Sequence, residues 1–191
     1  MSTMAADAQK RQNRPLVVAL MGLPGAGKTT IASALVDQLG LRRVCRDAIR
    51  HAMFPQCDYS FIEKRAAFRG VLLAVEINGL LGKTSVIDGM TFSRREDRDR
   101  LVEIADRHGF DLLWLLAACD PARARARIAN DRLQAAHPAL DRTPALVDAL
   151  AGCFEELPPG VVRIDAHESP VRMCEAALKA VAARLQEHLP G

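Results

Sequence analysis

The sequence contains no unbroken run of about 18 or more apolar residues, so no membrane-spanning helix is expected. Its five cysteines, at positions 45, 57, 119, 153 and 174, are odd in number and include no C-x-x-C pair. That pattern argues against a disulfide framework or a zinc site and for reduced thiols in a cytosol. His51, His137, His167 and His188 are scattered, without the spacing of metal ligands. Charge of one sign is also scarce. A net charge of +3 falls short of the basic excess that usually marks a nucleic-acid binder. Neither an internal repeat nor a domain linker is visible. Residues 1–14 are polar and lack the apolar centre of a secretory signal, which predicts a loose tail. What remains is ordinary globular material, 49% hydrophobic and 26% charged, and 191 residues suit one domain over 15–191.

Against that background one stretch is specific. Gly22-Leu23-Pro24-Gly25-Ala26-Gly27-Lys28-Thr29 fits G-x-x-x-x-G-K-[ST], the phosphate-binding P-loop. Its glycines let the backbone curl until successive N–H groups converge on one anion. Lys28 adds a point charge for the β- and γ-phosphates of ATP, and the Thr29 hydroxyl is a candidate Mg²⁺ ligand. The apolar run Leu16–Met21 before the loop reads as a buried parallel strand. The segment after it, from Thr30 to Leu39, reads as a helix closed by Gly40. That helix aims its positive end at the same phosphates.

Further along, Arg43-Val44-Cys45 reads as a short strand delivering Arg46-Asp47-Ala48-Ile49-Arg50 at its C-terminal edge, where ligands of open α/β sheets sit. Asp47 and Arg50 share one face of a helical turn. They are either a surface ion pair or a working pair, with Asp47 taking a proton from an acceptor hydroxyl and Arg50 orienting the acceptor or its anionic group. Ser60-x-x-Glu63 predicts a capping box and a helix to about Leu81, with Phe61, Phe68, Leu72 and Val75 as its buried stripe. Glu63, Lys64, Arg65 and Arg69 near its start are either an acceptor-pocket lining or a solvated face. The β-branched run Thr84 to Ile87 ends in Asp88, the Walker-B arrangement of a carboxylate at a strand tip near Mg²⁺. Ser93-x-x-Glu96 predicts a second capping box, opening a helix that stops at Gly109. Arg94, Arg95, Arg98 and Arg100 alternate there with acids, as expected of a salt-bridged wet face, with Arg94 or Arg95 near enough to the start to reach a substrate anion.

Phe110 to Leu116 predicts another buried strand, and Asp120-Pro121 starts a helix with an aspartate cap. Arg123 and Arg127 share a face of that helix, and Arg132 lies at its end. They are either solubilising charge or, followed by the polar stretch 134–142, an arginine-bearing lid over triphosphate at about 127–142. Thr143-Pro144 predicts a helix to about Phe154. Val161 to Ile164 predicts a last strand, and Ser169-Pro170 a terminal helix to about His188. Strands alternating with helices predict a parallel sheet wrapped on both faces.

With these elements placed, the chain resembles a small P-loop kinase of the group that includes the phage polynucleotide 5′-kinase domain, zeta toxins, chloramphenicol phosphotransferase and AAA-type predicted kinases. GLPGAGKTT (22–30), RDAIR (46–50), VIDGMTFSRR (86–95) and DPARARARIANDR (120–132) carry the likeness. It implies a three-layer P-loop NTPase fold with a five-stranded sheet in order 2-3-1-4-5. It implies Asp47 as general base, Gly22 to Thr30 around the phosphates, Thr29 and Asp88 near the metal, and Arg127 or Arg132 as lid arginines. The function expected is ATP-dependent, Mg²⁺-assisted phosphoryl transfer to a small-molecule hydroxyl in the cytoplasm. A 5′-hydroxyl polynucleotide kinase, a nucleotide-switched ATPase or a toxin-like kinase acting on a cell-wall nucleotide sugar stand as alternatives.

Overall fold

Each strand is followed by helix long enough to carry the chain back across a sheet, which favours parallel pairing. The computed structural model describes residues 14–133 and 143–187, the side chains of 132 and 133 excepted. Five strands alternate with seven helices among these residues: β1 (Leu16–Met21), α1 (Lys28–Leu39), β2 (Arg42–Cys45), α2 (Arg46–Met53), α3 (Phe61–Leu80), β3 (Ser85–Asp88), α4 (Arg95–His108), β4 (Asp111–Ala118), α5 (Pro121–Leu133), α6 (Pro144–Ala151), β5 (Val162–Asp165) and α7 (Pro170–Gln186). All pairings are parallel, in the order β2-β3-β1-β4-β5. This is the expected three-layer P-loop NTPase fold.

The two faces of the sheet follow from the period of two along each strand. Leu16, Val18 and Leu20 of β1 face one layer, where Ile31 and Leu35 of α1 and Met173, Ala177 and Val181 of α7 cover them. Val17, Ala19 and Met21 face the other, under Phe68, Val71 and Val75 of α3 and Leu101 and Ile104 of α4. All six β1 residues are buried, which is why the strand reads as a continuous apolar run. A third, smaller cluster joins Leu23 to Ala124 and Ile128 of α5 and Val147 of α6.

Several local expectations need correction. Phe61 is not in the buried stripe of α3: its place at the first turn leaves it 69% exposed, and Ala67 and Val71 take the inner face with Phe68 and Val75. Ser93 does not cap α4. Arg94 occupies the cap position without a side-chain bond, and the Ser93 hydroxyl pairs with that of Thr91 at 3.2 Å. Arg98 is not on a wet face but buried, donating to the carbonyls of Phe92, Ser93 and Glu156. Helix α6 ends at Ala151, short of Phe154. The tail, residues 134–142 of the expected lid and the end of the terminal helix at His188 lie outside the described residues.

Candidate active site

β1, β2, β3 and β4 end at the same edge of the sheet, so the residues that follow each strand meet in one cleft of about 440 Å³. The loop after β1 supplies its floor. Gly22 and Gly25 have φ of 128° and 82°, and a Cβ at either would lie 2.7 and 2.6 Å from the carbonyl oxygens of Ala117 and Ala124. Both positions therefore admit glycine alone for two reasons, conformation and space. The side chains of Leu23 and Ala26 are buried in the clusters behind the loop, so these two residues anchor it while Pro24, Gly25, Gly27, Lys28, Thr29 and Thr30 line the cleft.

Lys28 starts α1, and its Nζ donates to the carbonyls of Gly22 and Leu23, both at 2.8 Å. The ammonium thus spans the mouth of the loop. The Thr29 hydroxyl faces Asp88 at the tip of β3, 3.2 and 3.3 Å from its two carboxylate oxygens. Asp88 is buried and also accepts from the Gly89 N–H at 2.7 Å and from Arg43 of β2 at 2.5 Å. A hydroxyl and a carboxylate side by side beneath a phosphate loop are an oxygen donor set that fits Mg²⁺, an ion that takes few protein ligands and fills its shell with water and phosphate. Arg43 was given no role from the sequence. Its guanidinium already compensates the Asp88 charge.

Asp47 opens on the cleft from the first turn of α2, and its side chain is 15% exposed. Arg46 and Arg50 both reach its Oδ1, at 3.4 and 3.2 Å. The expected pairing of Asp47 with Arg50 is present, but Arg50 is not among the cleft-lining residues and so is not placed to bind an acceptor. It is 2% exposed, behind Asp47, with its guanidinium over the Tyr59 ring at 4.5 Å. Of the cleft-lining cations, Arg46 comes from α2 and Lys64 from α3. Lys64 is the one member of the charged cluster at the start of α3 that lines the cleft. Glu63 is buried, accepting from the N–H groups of Asp58 and Tyr59, and Arg65 pairs with Glu96 and Asp97. Arg94 and Arg95 are exposed and lie off the cleft.

On the opposite wall Arg127 of α5 donates to the carbonyl of Gly25 at 3.3 Å and to that of Ala166, after β5, at 2.9 Å. Arg123 reaches the carbonyl of His167 at 3.1 Å, and Arg125 pairs with Asp148. Arg127 is thus the arginine of this helix placed at the phosphate loop. Arg132 lies one turn beyond it in the last turn of α5, its side chain outside the described residues. Asp131 also lines the cleft. Beneath the loop, burial pushes the Cys119 thiol up against the opposing pull of Arg127, which keeps it protonated and unreactive. The N–H of Arg123 bonded to Asp120 holds that capping carboxylate below its usual range.

A glycine loop closing on a lysine, a helix rising from it and a carboxylate at the neighbouring strand tip define a P-loop domain of the kinase type. The chain belongs to the AAA_33 family, described as an AAA domain, which matches residues 17–153. In structure it is similar to a candidate kinase of Chloroflexus aurantiacus, at TM-score 0.73 and 20% identity, over 91% of this chain and 97% of that one. It is also similar to a gluconokinase of Sinorhizobium meliloti, at TM-score 0.65 and 17% identity, over 91% and 95%. The APS kinase of Mycobacterium tuberculosis, solved with AMPPNP and APS, matches at TM-score 0.66 and 17% identity, over 91% and 98%. No curated protein matches the chain in sequence.

Proposed function

We propose that this protein is an ATP-dependent phosphotransferase that moves the γ-phosphate to a hydroxyl of a small molecule, with Asp47 as general base. The observation that carries the reading is that Lys28, Thr29, Asp88 and Asp47 all open on one cleft, with the phosphate loop at its floor. Asp47 is a second carboxylate on the cleft besides Asp88, as transfer to a hydroxyl acceptor calls for.

In this reading the loop N–H groups and Lys28 hold the β- and γ-phosphates, and Lys28 exchanges its loop carbonyls for phosphate oxygens. Thr29 and Asp88 would hold Mg²⁺, which supplies neutralisation of the charge spread over the transferring group. Asp47 accepts the proton of the acceptor hydroxyl as its oxygen attacks phosphorus in line. The bond to the β,γ-bridging oxygen breaks, and ADP leaves with that electron pair. Arg50 holds the Asp47 carboxylate in place from behind. Arg127 and Arg132, at the root of a lid over 127–142, cover the phosphates and exclude water. A kinase fold shared with a gluconokinase and an APS kinase supports a small-molecule acceptor, and so does the modest net charge of +3.

The test is γ-labelled ATP with a panel of sugars, sugar acids, nucleosides and oligonucleotides, product being read by mass spectrometry. Asp47→Asn is expected to keep ATP binding and lose transfer by about 10²-fold or more. Lys28→Ala is expected to lose both. Wild-type transfer by Asp47→Asn would remove the base assignment. ATP hydrolysis with no acceptor labelled would replace the kinase by an ATPase.

A further inference from the structure

We infer that Arg98, which lies outside the cleft lining, is a positioning residue for phosphoryl transfer: it fixes a bridge, residues 89–92, that sets Asp47 against the phosphate loop. The inference rests on the reading of Asp47 as general base and adds the part that places that base.

The bridge follows Asp88 at the tip of β3, and its residues Gly89, Met90 and Thr91 line the cleft. Its ends touch both halves of the site. At one end Gly89 lies against the start of α2, where a Cβ would stand 3.3 Å from the backbone N atoms of both Arg46 and Asp47. At the other end the Thr91 carbonyl accepts from the N–H of Gly22, the first glycine of the phosphate loop, at 3.2 Å. The Gly22 carbonyl in turn accepts from Lys28 at 2.8 Å. A short run of main chain thus spaces the base from the phosphate loop. The two halves are not equally held. The phosphate loop is anchored without the bridge, by Leu23 and Ala26 in the core and by the Lys28 bonds. Helix α2 follows the edge strand β2, its one buried residue is Arg50, and Ile49 is only partly covered. A shift of the bridge therefore falls on α2 and Asp47.

The bridge is itself held under strain. Phe92 takes φ 48°, unfavourable for a bulky side chain, with its ring buried edge-on against Trp114 and Phe68. Such a conformation persists where the surroundings over-determine it. Arg98 does so. It is 4% exposed, and its guanidinium donates to the carbonyls of Phe92 at 2.8 Å, Ser93 at 3.1 Å and Glu156 at 2.6 Å. Among the described residues it meets no carboxylate. A buried guanidinium is costly to desolvate, and neutral carbonyls return less than an ion pair would. An apolar side chain would fill this place with less desolvation. It would also leave the Phe92 and Glu156 carbonyls without these donors and the bridge free to relax.

The experiment compares the full chain as wild type, Arg98→Met and Gly89→Ala, with the acceptor that wild type labels in the panel. Arg98→Met frees the bridge. Gly89→Ala keeps it but pushes on the start of α2, through its Cβ and through a φ of 79°. Where Arg98→Met does not fold, Arg98→Lys, which keeps the charge but loses the fork, carries the same comparisons. Each variant is expected to lower kcat by about 10- to 10²-fold with AMPPNP affinity within about twofold. In the Asp47→Asn background the same substitutions should cost less than about twofold, since an absent base cannot be misplaced. A loss by the same factor in both backgrounds would mean that Arg98 serves the fold alone and overturns the inference. So does wild-type kcat in Arg98→Met, or an AMPPNP affinity that falls in step with kcat. Amide exchange read by mass spectrometry, with Mg²⁺ and AMPPNP bound, needs no acceptor. Protection of α2 should fall about tenfold or more in Arg98→Met while that of residues 22–39 holds. A uniform loss over the chain, or unchanged protection of α2, overturns the inference. Wild type can label no acceptor, or Asp47→Asn can transfer at the wild-type rate, while α2 alone loses protection. The bridge then stands and the reading of Asp47 fails.

Discussion

Asp88 shows how much of the site depends on side chains that the motif does not contain. Its carboxylate is 1% exposed and is tolerated because Arg43, Thr29 and the Gly89 N–H share its charge. Removing the guanidinium leaves a buried carboxylate short of its strongest partner. Arg43→Met is expected to cost about 1–3 kcal/mol in the nucleotide-free protein, the lower part of the range reflecting a partner that is partly in water. Mg²⁺ with ATP should recover most of the lost melting temperature in a thermal shift, and a variant equally unstable with and without them would show that Arg43 does not stand in for the metal. Arg50 stands to Asp47 much as Arg43 does to Asp88, paired with it at 3.2 Å, and under the proposed mechanism it would position that carboxylate. Arg50→Leu is expected to lower kcat by about 10- to 10²-fold with the KM for ATP unchanged. Arg50→Lys should recover little, since an ammonium cannot both lie over Tyr59 and reach Asp47 as a planar fork does. An equal drop in ATP affinity would mean that Arg50 acts on the fold rather than on Asp47. Lys28 and Thr29 were legible in the sequence because motif spacing fixes their place on the loop, and Asp88 because it ends an apolar, β-branched run. Arg43 and Tyr59 were not, and Lys64 was only one of four charges with an acceptor-pocket reading, because their positions depend on how β2 and the pair α2–α3 pack, which no local pattern specifies.

At the level of elements, the start of α3 illustrates the same limit. Ser60 caps it as the S-x-x-E pattern predicts, accepting from the Glu63 N–H at 3.3 Å. Glu63, however, reaches back past Ser60 to Asp58 and Tyr59, because Tyr59 sits at φ 58° and turns its N–H inward. The second such pattern, at Ser93, failed because Phe92 takes φ 48° to bury its ring edge-on against Trp114 and Phe68, carrying Ser93 into the interior with it. Capping patterns see a few residues, and here a buried aromatic decided. The other end of α3 carries a sharper constraint. A Cβ on Gly79 would lie 2.1 Å from the Phe110 ring. Alanine for glycine inside a helix ordinarily gains up to about 1 kcal/mol. Gly79→Ala is expected instead to cost about 1–3 kcal/mol by overpacking, read as a lower melting temperature, and Phe110→Leu in the same chain should restore part of it. A stabilised single variant would show that α3 and the Phe110 ring can part at no cost.

For the molecule as a whole, alternation of strand and helix was enough to predict a parallel sheet covered on both faces, since no other arrangement buries strands as apolar as β1 and β4. The strand order came from the resemblance and not from periodicity, which carries no information about which strands are neighbours. Because binding at the sheet edge involves the native state alone, nucleotide should stabilise the whole chain. Mg²⁺ and ATP at about 100 times Kd would add roughly 2.7 kcal/mol, a rise of roughly 5–10 °C for a chain of this size, and Lys28→Ala should abolish it. An unchanged melting temperature in wild type would argue against binding at this edge. Leu23 adds a mechanical consequence. Its side chain is pinned among Ala124, Ile128 and Val147, so the loop that grips phosphate is bolted to the two helices on either side of residues 134–142. Any swing of those helices must tug on the grip, and any tightening of the grip must draw them in. Motion of α5 and motion of the loop would then be coupled, through Leu23 and through the Arg127 bond to the Gly25 carbonyl.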